Sequence, residues 1–254
     1  MPYSRALATA RAAFAPVCLG AVFVALAGCG SAPPSTPAGT PASTPTAATH
    51  RDPSPTPVAT SATAADGVYG DPAAAAKYWQ QQSLEDNCGL MAVADVVGEV
   101  TGHSPTERQI IALAEVTPSQ TNPGPIYAPP ADPGHSNGNG GIEMGDEVVL
   151  LDHYGIKSTM TYSAHPDQTG LPALERYLAD DRKVIAWVNS AVIWKTSDQR
   201  TKADHFLVVT GIDTNNDVVH LNDPGADSPD ERVSIGTFLT AWHTGEESIV
   251  VTRG

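Results

Sequence analysis

Cysteine is scarce in this sequence, and its scarcity limits how the protein can be stabilised. Only three of the 254 residues are cysteines. Cys18 and Cys29 lie in an N-terminal segment rich in apolar residues, so Cys88 is the single thiol of the chain beyond it. One thiol cannot form an internal disulfide, and a free thiol outside the cell is prone to oxidation. Cys88 is therefore expected to be either deeply buried or chemically used.

Basic residues are also few. The chain has 14 Lys and Arg against 28 Asp and Glu, which gives a formal net charge of -14 at pH 7. Such a chain lacks the positive surface that attracts nucleic acid or an anionic lipid surface. We therefore expect no nucleic acid among its partners, and basic or neutral partners fit better.

Sequence motifs typical of metal-binding sites are missing as well. The stretch "DTNND" at 213–217 resembles the start of a calcium loop, but it lacks the glycine and the distal Glu, so it indicates a hairpin turn. Six histidines beyond residue 66, besides His205, are scattered along the chain without the spacing of metal ligands: His103, His135, His153, His165, His220 and His243. We expect neither a metal nor a cofactor.

The first 29 residues are typical of an export signal. Arg5 and Arg11 precede a mostly apolar run from 12 to 27, which is too short to be relied on as a spanning helix. The stretch "LAGC" that follows resembles the lipobox of bacterial lipoproteins. This resemblance implies that Cys29 is lipid-modified and anchors the protein to the outer face of the cytoplasmic membrane. An ordinary cleaved signal is the alternative.

Two further segments follow the signal. Residues 30–66 are almost entirely Ala, Pro, Thr, Ser and Gly, a composition that cannot bury a core and that predicts a disordered tether. A regulatory or glycosylated stalk is the alternative for this segment. Residues 67–254 are long enough for one domain with a proper core.

Helical patterns dominate the first half of this domain. Apolar residues follow helical spacing after Cys88, and Gly102 predicts the end of that helix. A second helix is predicted from Ser104 as N-cap, with Pro105 in its first turn and Glu107 completing a capping box. Further helices are predicted at 142–155 and 171–181. The Pro, Gly and Asn-rich loop at 117–141 indicates either a functional lid or a mobile insert.

The second half changes to strand patterns. Four β-rich apolar runs are separated by turn residues: "KVIAWVNS", "HFLVVTGID", "DVVHLNDPG" and "ESIVVTR". A short helix with Ser234 as its cap interrupts them near the end. Helices followed by an antiparallel sheet predict an α+β fold.

The candidate chemistry centres on Cys88, which lies at the N-terminal end of its predicted helix. There the helix dipole and unsatisfied backbone N–H groups favour a thiolate. His205 opens one strand and Asp223 closes the next, so a hairpin through 213–217 would bring the two side chains together. Asn222 is the rival partner for the histidine, but alternation along the strand should send it to the opposite face.

A glutamine before Cys88 is a candidate oxyanion donor. Gln82 lies six residues upstream in "QQSLEDNCG", and its amide could lie next to the backbone N–H of Cys88. Gln80 and Gln81 compete for this role.

Taken in order, Gln82, Cys88 with Gly89, "HFLVVTGI" and "NDP" resemble the C39-like cysteine peptidases of the papain-like superfamily. The resemblance spans about Tyr78 to Asp223. It implies a papain-like fold with N-terminal helices packed on a C-terminal antiparallel sheet. It also implies Cys88 as nucleophile, His205 as general base and acid, Asp223 as the residue that orients His205, and Gln82 as oxyanion donor.

The sequence departs from the family in three respects. Asn87 stands where an acidic residue often precedes the cysteine, and the acids lie at Glu85 and Asp86. The loop 117–141 does not align with the family pattern. The best-known members are joined to an exporter and cut double-glycine leaders inside the cell, whereas this chain is expected to face outward without a transporter.

Two functions therefore stay open at this stage. The first is an extracytoplasmic thiol hydrolase or acyl transferase that acts on peptide or amide bonds in a peptide or protein substrate. The second is a non-catalytic lipoprotein that binds peptides or envelope partners through the same cleft. An intact Cys, His and Asp set favours the first, because a binding module has no need of all three.

Overall fold

The computed structural model describes residues 67–137 and 141–254. The predicted export signal at 1–29, Cys29 and the predicted tether at 30–66 lie outside the described residues. Among the residues that are described, no helix has the length and apolar character needed to cross a membrane.

An antiparallel sheet of seven strands forms the centre of the described domain. Its strands are β1 (Val68–Gly70), β2 (Ser158–Thr161), β3 (Val184–Val188), β4 (His205–Asp213), β5 (Val218–Asn222), β6 (Glu231–Val233) and β7 (Ile249–Thr252). The strand order is β2-β7-β3-β4-β5-β6, and β1 pairs with β4. The four predicted strands are confirmed. The other three, β1, β2 and β6, were not predicted from the sequence.

Seven α-helices surround this sheet. They are α1 (Pro72–Ala75), α2 (Cys88–Thr101), α3 (Glu107–Val116), α4 (Met144–His153), α5 (Leu171–Ala179), α6 (Ser190–Ile193) and α7 (Ile235–His243). The α+β fold class is confirmed. The expected separation of helices and strands is incomplete, however, because α5 and α6 also lie between strands in the sequence, in addition to the predicted α7.

The two faces of the sheet carry separate apolar cores. One core packs α2, α3 and α4 against Ile185, Phe206 and Val250. The other packs α5 and α7 against the alternate residues of the same strands, such as Leu207 and Val251. Because successive strand residues point to opposite faces, apolar runs such as "HFLVV" serve both cores.

The start of α3 differs from the prediction by two residues. Thr106, not Ser104, is the N-cap, and Gln109 accepts hydrogen bonds from the Thr106 backbone N–H and hydroxyl. The Ser104 hydroxyl instead donates to the carbonyl of Tyr78, which lies in the segment before α2. The Glu107 carboxylate accepts hydrogen bonds from that segment too, so it is not used as a cap.

Other local predictions are confirmed. Gly102 ends α2 in the left-handed conformation with φ of 80°, and the Ser234 hydroxyl accepts from Thr237 N at the start of α7. Residues 213–217 form the hairpin turn between β4 and β5, where the Asp213 carboxylate accepts from Asn215 N and Asn216 N. This turn fixes how the two strands pair.

The described part of the predicted loop 117–141 packs against the helices. Ile126 and Tyr127 are buried in the core beside α2. Ser119 and the backbone N–H of Gln120 bind the carboxylate of Asp146 on α4. A 3₁₀ helix at Pro133–Asn137 follows. The Pro, Gly and Asn composition of this loop did not indicate which of its residues contact the helices.

Candidate active site

Cys88 is the first residue of α2, and only 7% of its surface is exposed. The first turn of α2 contains no acidic residue, so no side-chain charge in that turn opposes a thiolate at the positive end of the helix dipole. A Cβ on the next residue, Gly89, would lie 2.6 Å from Ile142 and 3.0 Å from Phe206. Because Gly89 has no side chain, the start of α2 can lie close to Phe206 on β4.

Glu107 fixes the segment that leads into Cys88. Its Oε1 accepts hydrogen bonds from Ser83 N at 2.6 Å and from Asn87 Nδ2 at 2.7 Å. Burial acts to raise the pKa of Glu107, but the hydrogen bonds from Ser83 and Asn87 outweigh it and the pKa is lowered. Asn87 stands where the resembled family often has an acidic residue, and its amide donates a hydrogen bond to Glu107 on α3.

Asp86 connects the same segment to the loop at 117–141. Its Oδ1 accepts a hydrogen bond of 2.9 Å from the Tyr127 hydroxyl, and His135 Nε2 lies 3.4 Å from its Oδ2. Burial, followed by the hydrogen bond to Asp86, raises the pKa of Tyr127 above its ordinary value. The loop therefore supports the segment that leads into Cys88.

His205 and Asp223 meet at one end of the β4–β5 pair. His205 Nε2 lies 2.6 Å from Asp223 Oδ1, and both residues are buried. Asp223 Oδ1 also accepts from Gly225 N at 2.7 Å, and Oδ2 accepts from Trp194 Nε1 at 2.9 Å. Burial opposes ionisation of Asp223, yet the hydrogen bond and charge of His205 lower its pKa.

Cys88 interacts with the ring of the same histidine. Burial alone would lower the pKa of His205, but hydrogen bonds to Asp223 and Cys88, together with the two negative charges, raise it from 6.5 to about 10. Because Nε2 is engaged by Asp223, Nδ1 is the ring nitrogen left to face the sulfur. The Trp194 ring lies 5.0 Å from the His205 ring, centroid to centroid. These contacts thus favour the charged imidazolium form of His205.

Asn222 and Asp223, the two candidate partners of His205, make different contacts. The Asn222 amide donates to Ala75 O on α1 at 3.0 Å and to Asp95 Oδ2 on α2 at 2.9 Å, so it connects these two helices. Asp223, one residue later, contacts His205. This is the outcome that strand alternation predicts.

The three glutamines also occupy different places. Gln80 donates to Pro105 O and Gln81 donates to Ala226 O, both away from Cys88. Gln82 Nε2 donates to Leu84 O at 2.7 Å, and its Oε1 is buried without a partner among the described residues. A side-chain amide has two N–H donors, so the bond to Leu84 leaves one for a ligand.

A cavity of about 420 Å³ adjoins the histidine. Its wall includes Gln82, Trp194 and His205, with the ion pairs of Arg200 with Asp198 and Asp204 on the far side. Gln80 and Gln81 do not line it. The cavity therefore leaves His205 and Gln82 accessible from the surface.

Three residues near the site were not singled out from the sequence. Trp194, directly after α6, donates to Asp223, and the charge of the same carboxylate acts on Glu231 of β6. Glu147 on α4 is fully buried, and neither of its carboxyl oxygens has a partner among the described residues. Burial, with the negative charge of Cys88 next, raises the pKa of Glu147 well above its usual value. No short-range pattern marks any of the three.

Across the described residues, no group of three or more His, Cys, Asp or Glu side chains could hold a metal ion. A cysteine at a helix N-terminus, facing a histidine and an acid on an antiparallel sheet, is the arrangement of papain-like cysteine peptidases.

The comparisons with known proteins identify the family. The model of the Peptidase_C39 like family matches residues 58–248. The chain belongs to the C39-like peptidase family. Uncharacterised proteins of Mycobacterium bovis and Mycobacterium tuberculosis are 45% identical to it over 207 residues, which cover 77% of this chain and 89% of each relative.

A solved structure is similar in fold. A Bacillus anthracis protein assigned as a C39-like peptidase aligns with a TM-score of 0.50 and 16% sequence identity, covering 74% of this chain and 98% of that chain. At this identity the likeness concerns the fold alone. It agrees with the α+β arrangement of helices around an antiparallel sheet.

Proposed function

We propose that the protein is a thiol hydrolase that cleaves peptide or amide bonds through Cys88, His205 and Asp223. The observation that carries this proposal is the position of the His205 ring, whose Nε2 lies 2.6 Å from Asp223 Oδ1 and whose pKa is raised by both Asp223 and Cys88. Nucleophile, base and orienting acid in hydrogen-bond reach define an activated nucleophile. Membership of the C39-like family supports the same chemistry.

In the first step the Cys88 thiolate attacks the carbonyl carbon of the scissile bond. The S–C bond forms and the carbonyl electron pair moves to the oxygen. The Cys88 backbone N–H and the second N–H of Gln82 hold this oxyanion. As the C–N bond breaks, the imidazolium of His205 gives its proton to the leaving amine.

The second step releases the acyl group. Neutral His205 takes a proton from water, and the resulting hydroxide attacks the thioester carbon. The S–C bond then breaks and the thiolate–imidazolium pair returns. An amine that replaced water would make the protein an acyl transferase. Asp223 keeps Nε2 protonated throughout, so that Nδ1 exchanges the proton.

The location remains a proposal from the sequence. The export signal, "LAGC" and the tether support an extracytoplasmic protein that is lipid-anchored through Cys29 to the outer face of the cytoplasmic membrane. The net charge of -14 supports peptide or protein substrates rather than nucleic acid. The exporter-linked leader peptides of other family members are not assumed as substrates.

A peptide-library cleavage profile of the purified protein tests the activity. We expect cleavage products with the wild type and loss of almost all turnover with Cys88→Ala and with His205→Ala. A second measurement needs no substrate: iodoacetamide should alkylate Cys88 rapidly at mildly acidic pH, because only an activated thiolate reacts readily there. Slow alkylation and no cleavage together would favour the non-catalytic binding module.

A further inference from the structure

A fourth acidic residue adjoins the proposed triad. Glu231 is the first residue of β6, and its backbone is paired with Leu221, two residues before Asp223. The antiparallel register therefore places Glu231 beside the end of β5 from which Asp223 projects. A surface cavity of about 380 Å³ is lined by Glu231 together with Trp194 and Gly225, which both donate to Asp223.

Asp223 lies two residues after the partner of Glu231, so the two are diagonal neighbours at one end of the β5–β6 pair, and their carboxyl groups interact. Glu231 Oε2 is buried, and no N–H or O–H donor among the described residues reaches it. Two ionised carboxylates this close repel each other, so the pair is more stable with one proton between them. Three donors from the protein already stabilise the negative charge of Asp223: His205 Nε2, Gly225 N and Trp194 Nε1. The proton therefore resides on Glu231.

We propose that Glu231 is a positioning residue for the active site: its protonated carboxyl donates a hydrogen bond that holds the Asp223 carboxylate against His205, and ionisation of Glu231 releases that hold. This inference rests on the proposed function, because it assigns regulation by pH to the same site. Glu231 does not itself touch the reacting atoms.

The charges around Glu231 set the pH range. Burial, then the charge and hydrogen bond of Asp223, raise the pKa of Glu231 to about 7, and His205 acts in the opposite direction. On its own strand, Arg232 pairs with Asp230. Asp227 lies on the rim of the shared cavity. Glu231 is thus protonated in mildly acidic surroundings and ionised in alkaline ones.

Two effects compete when Glu231 ionises. The new charge attracts the His205 imidazolium, but Glu231 has no hydrogen bond to that ring and acts from a distance. It repels Asp223 at hydrogen-bond distance. Because charge–charge energy falls with separation, the repulsion between the two contacting carboxylates dominates. We therefore expect Asp223 to be held less firmly, and the Cys88–His205 pair to weaken, as pH rises through neutrality.

The test compares Glu231→Gln with Glu231→Ala in the full-length protein. The Gln amide donates to Asp223 at every pH, whereas Ala donates at none. Wild type and Glu231→Gln should show equal iodoacetamide alkylation of Cys88 at pH 5.5, and Glu231→Gln should be faster at pH 8. Glu231→Ala should be slower at pH 5.5 by about tenfold, the scale of one hydrogen bond to a charged group.

Asp227→Asn is the matched control, since it removes an exposed carboxylate from the same cavity and should keep the wild-type pH profile. If wild type and Glu231→Gln give the same profile, the positioning role is refuted while rapid alkylation at pH 5.5 still supports the proposed function. A second readout is independent of the thiol. The urea midpoint of Glu231→Gln should rise relative to wild type between pH 5 and 8, because the wild type loses stability as Glu231 ionises.

If the urea midpoints of wild type and Glu231→Gln change in parallel between pH 5 and 8, the proton shared by Glu231 and Asp223 is refuted. Slow alkylation in every protein at pH 5.5 would instead contradict the proposed function, and the urea midpoints would still decide whether Glu231 donates to Asp223.

Discussion

Asp223→Asn separates the charge of Asp223 from its shape. The aspartate accepts three hydrogen bonds from donors, two at Oδ1 from His205 and Gly225 and one at Oδ2 from Trp194. Asparagine keeps one oxygen for the first two, but its NH₂ group would face the indole N–H of Trp194, and two donors cannot bond. The variant therefore loses the negative charge and one hydrogen bond at nearly constant volume.

The size of the effect follows from the pKa of His205. A rise from 6.5 to about 10 corresponds to roughly 5 kcal/mol in favour of the imidazolium. Burial opposes this rise, so Asp223 and Cys88 supply all of it. One opposite charge in contact moves a pKa by about 1 to 3. Loss of Asp223 should therefore lower the equilibrium constant for forming the thiolate–imidazolium pair by about 10- to 1,000-fold.

The assay is the rate of Cys88 alkylation by iodoacetamide between pH 5 and 11. Because the pKa of His205 is raised, the imidazolium persists below about pH 10 in the wild type and is lost above it. In Asp223→Asn that loss should move to lower pH, with slower alkylation near neutrality. Asn222→Ala, which changes the adjacent residue, should keep the wild-type pH profile. An unchanged rate and profile in Asp223→Asn would refute the ion-pair reasoning.

Three other changes test separate parts of the molecule. Gln82→Ala should lower turnover by about 10²- to 10³-fold, the scale of one oxyanion donor, and Gln81→Ala should not; equal effects in a kinetic assay would contradict the assignment. Glu147→Gln should gain stability relative to wild type in urea unfolding as pH rises from 5 to 8, because ionisation of the buried Glu147 carboxyl destabilises the wild type; parallel curves would show that Glu147 does not titrate differently on folding. Cys29→Ala should abolish lipid attachment by mass spectrometry, and an unlipidated, soluble wild type in the producing cell would refute the anchor.

Local patterns predicted the elements that carry the site. The helix that begins at Cys88 follows from apolar spacing and from Gly102, and the pairing of β4 with β5 follows from the turn at 213–217. Register then brings His205 near Asp223, because the start of one strand lies beside the end of the next. A short loop and a period of two residues carry enough information for this part of the fold.

The supporting residues could not be predicted in the same way. Trp194 reaches Asp223 because α6 is tied to the start of β4: Asp204 accepts hydrogen bonds from Ser190 N and Oγ. Glu231 reaches it through a three-residue strand. Both contacts depend on tertiary packing across intervening loops, and a single tryptophan or glutamate has no sequence spacing that indicates it.

The end of β5 shows how one strand joins the reactive site to the core. Asp223 turns toward His205, while its neighbour Asn222 turns to the other face and bonds Asp95. Asp95 lies on α2, the helix that begins with Cys88. The same two residues therefore hold the imidazole and anchor the helix that carries the thiol. A change at Asn222 should act on the stability of this anchor, and a change at Asp223 on the charge of the ring, which is why their effects on alkylation should differ although the residues are adjacent.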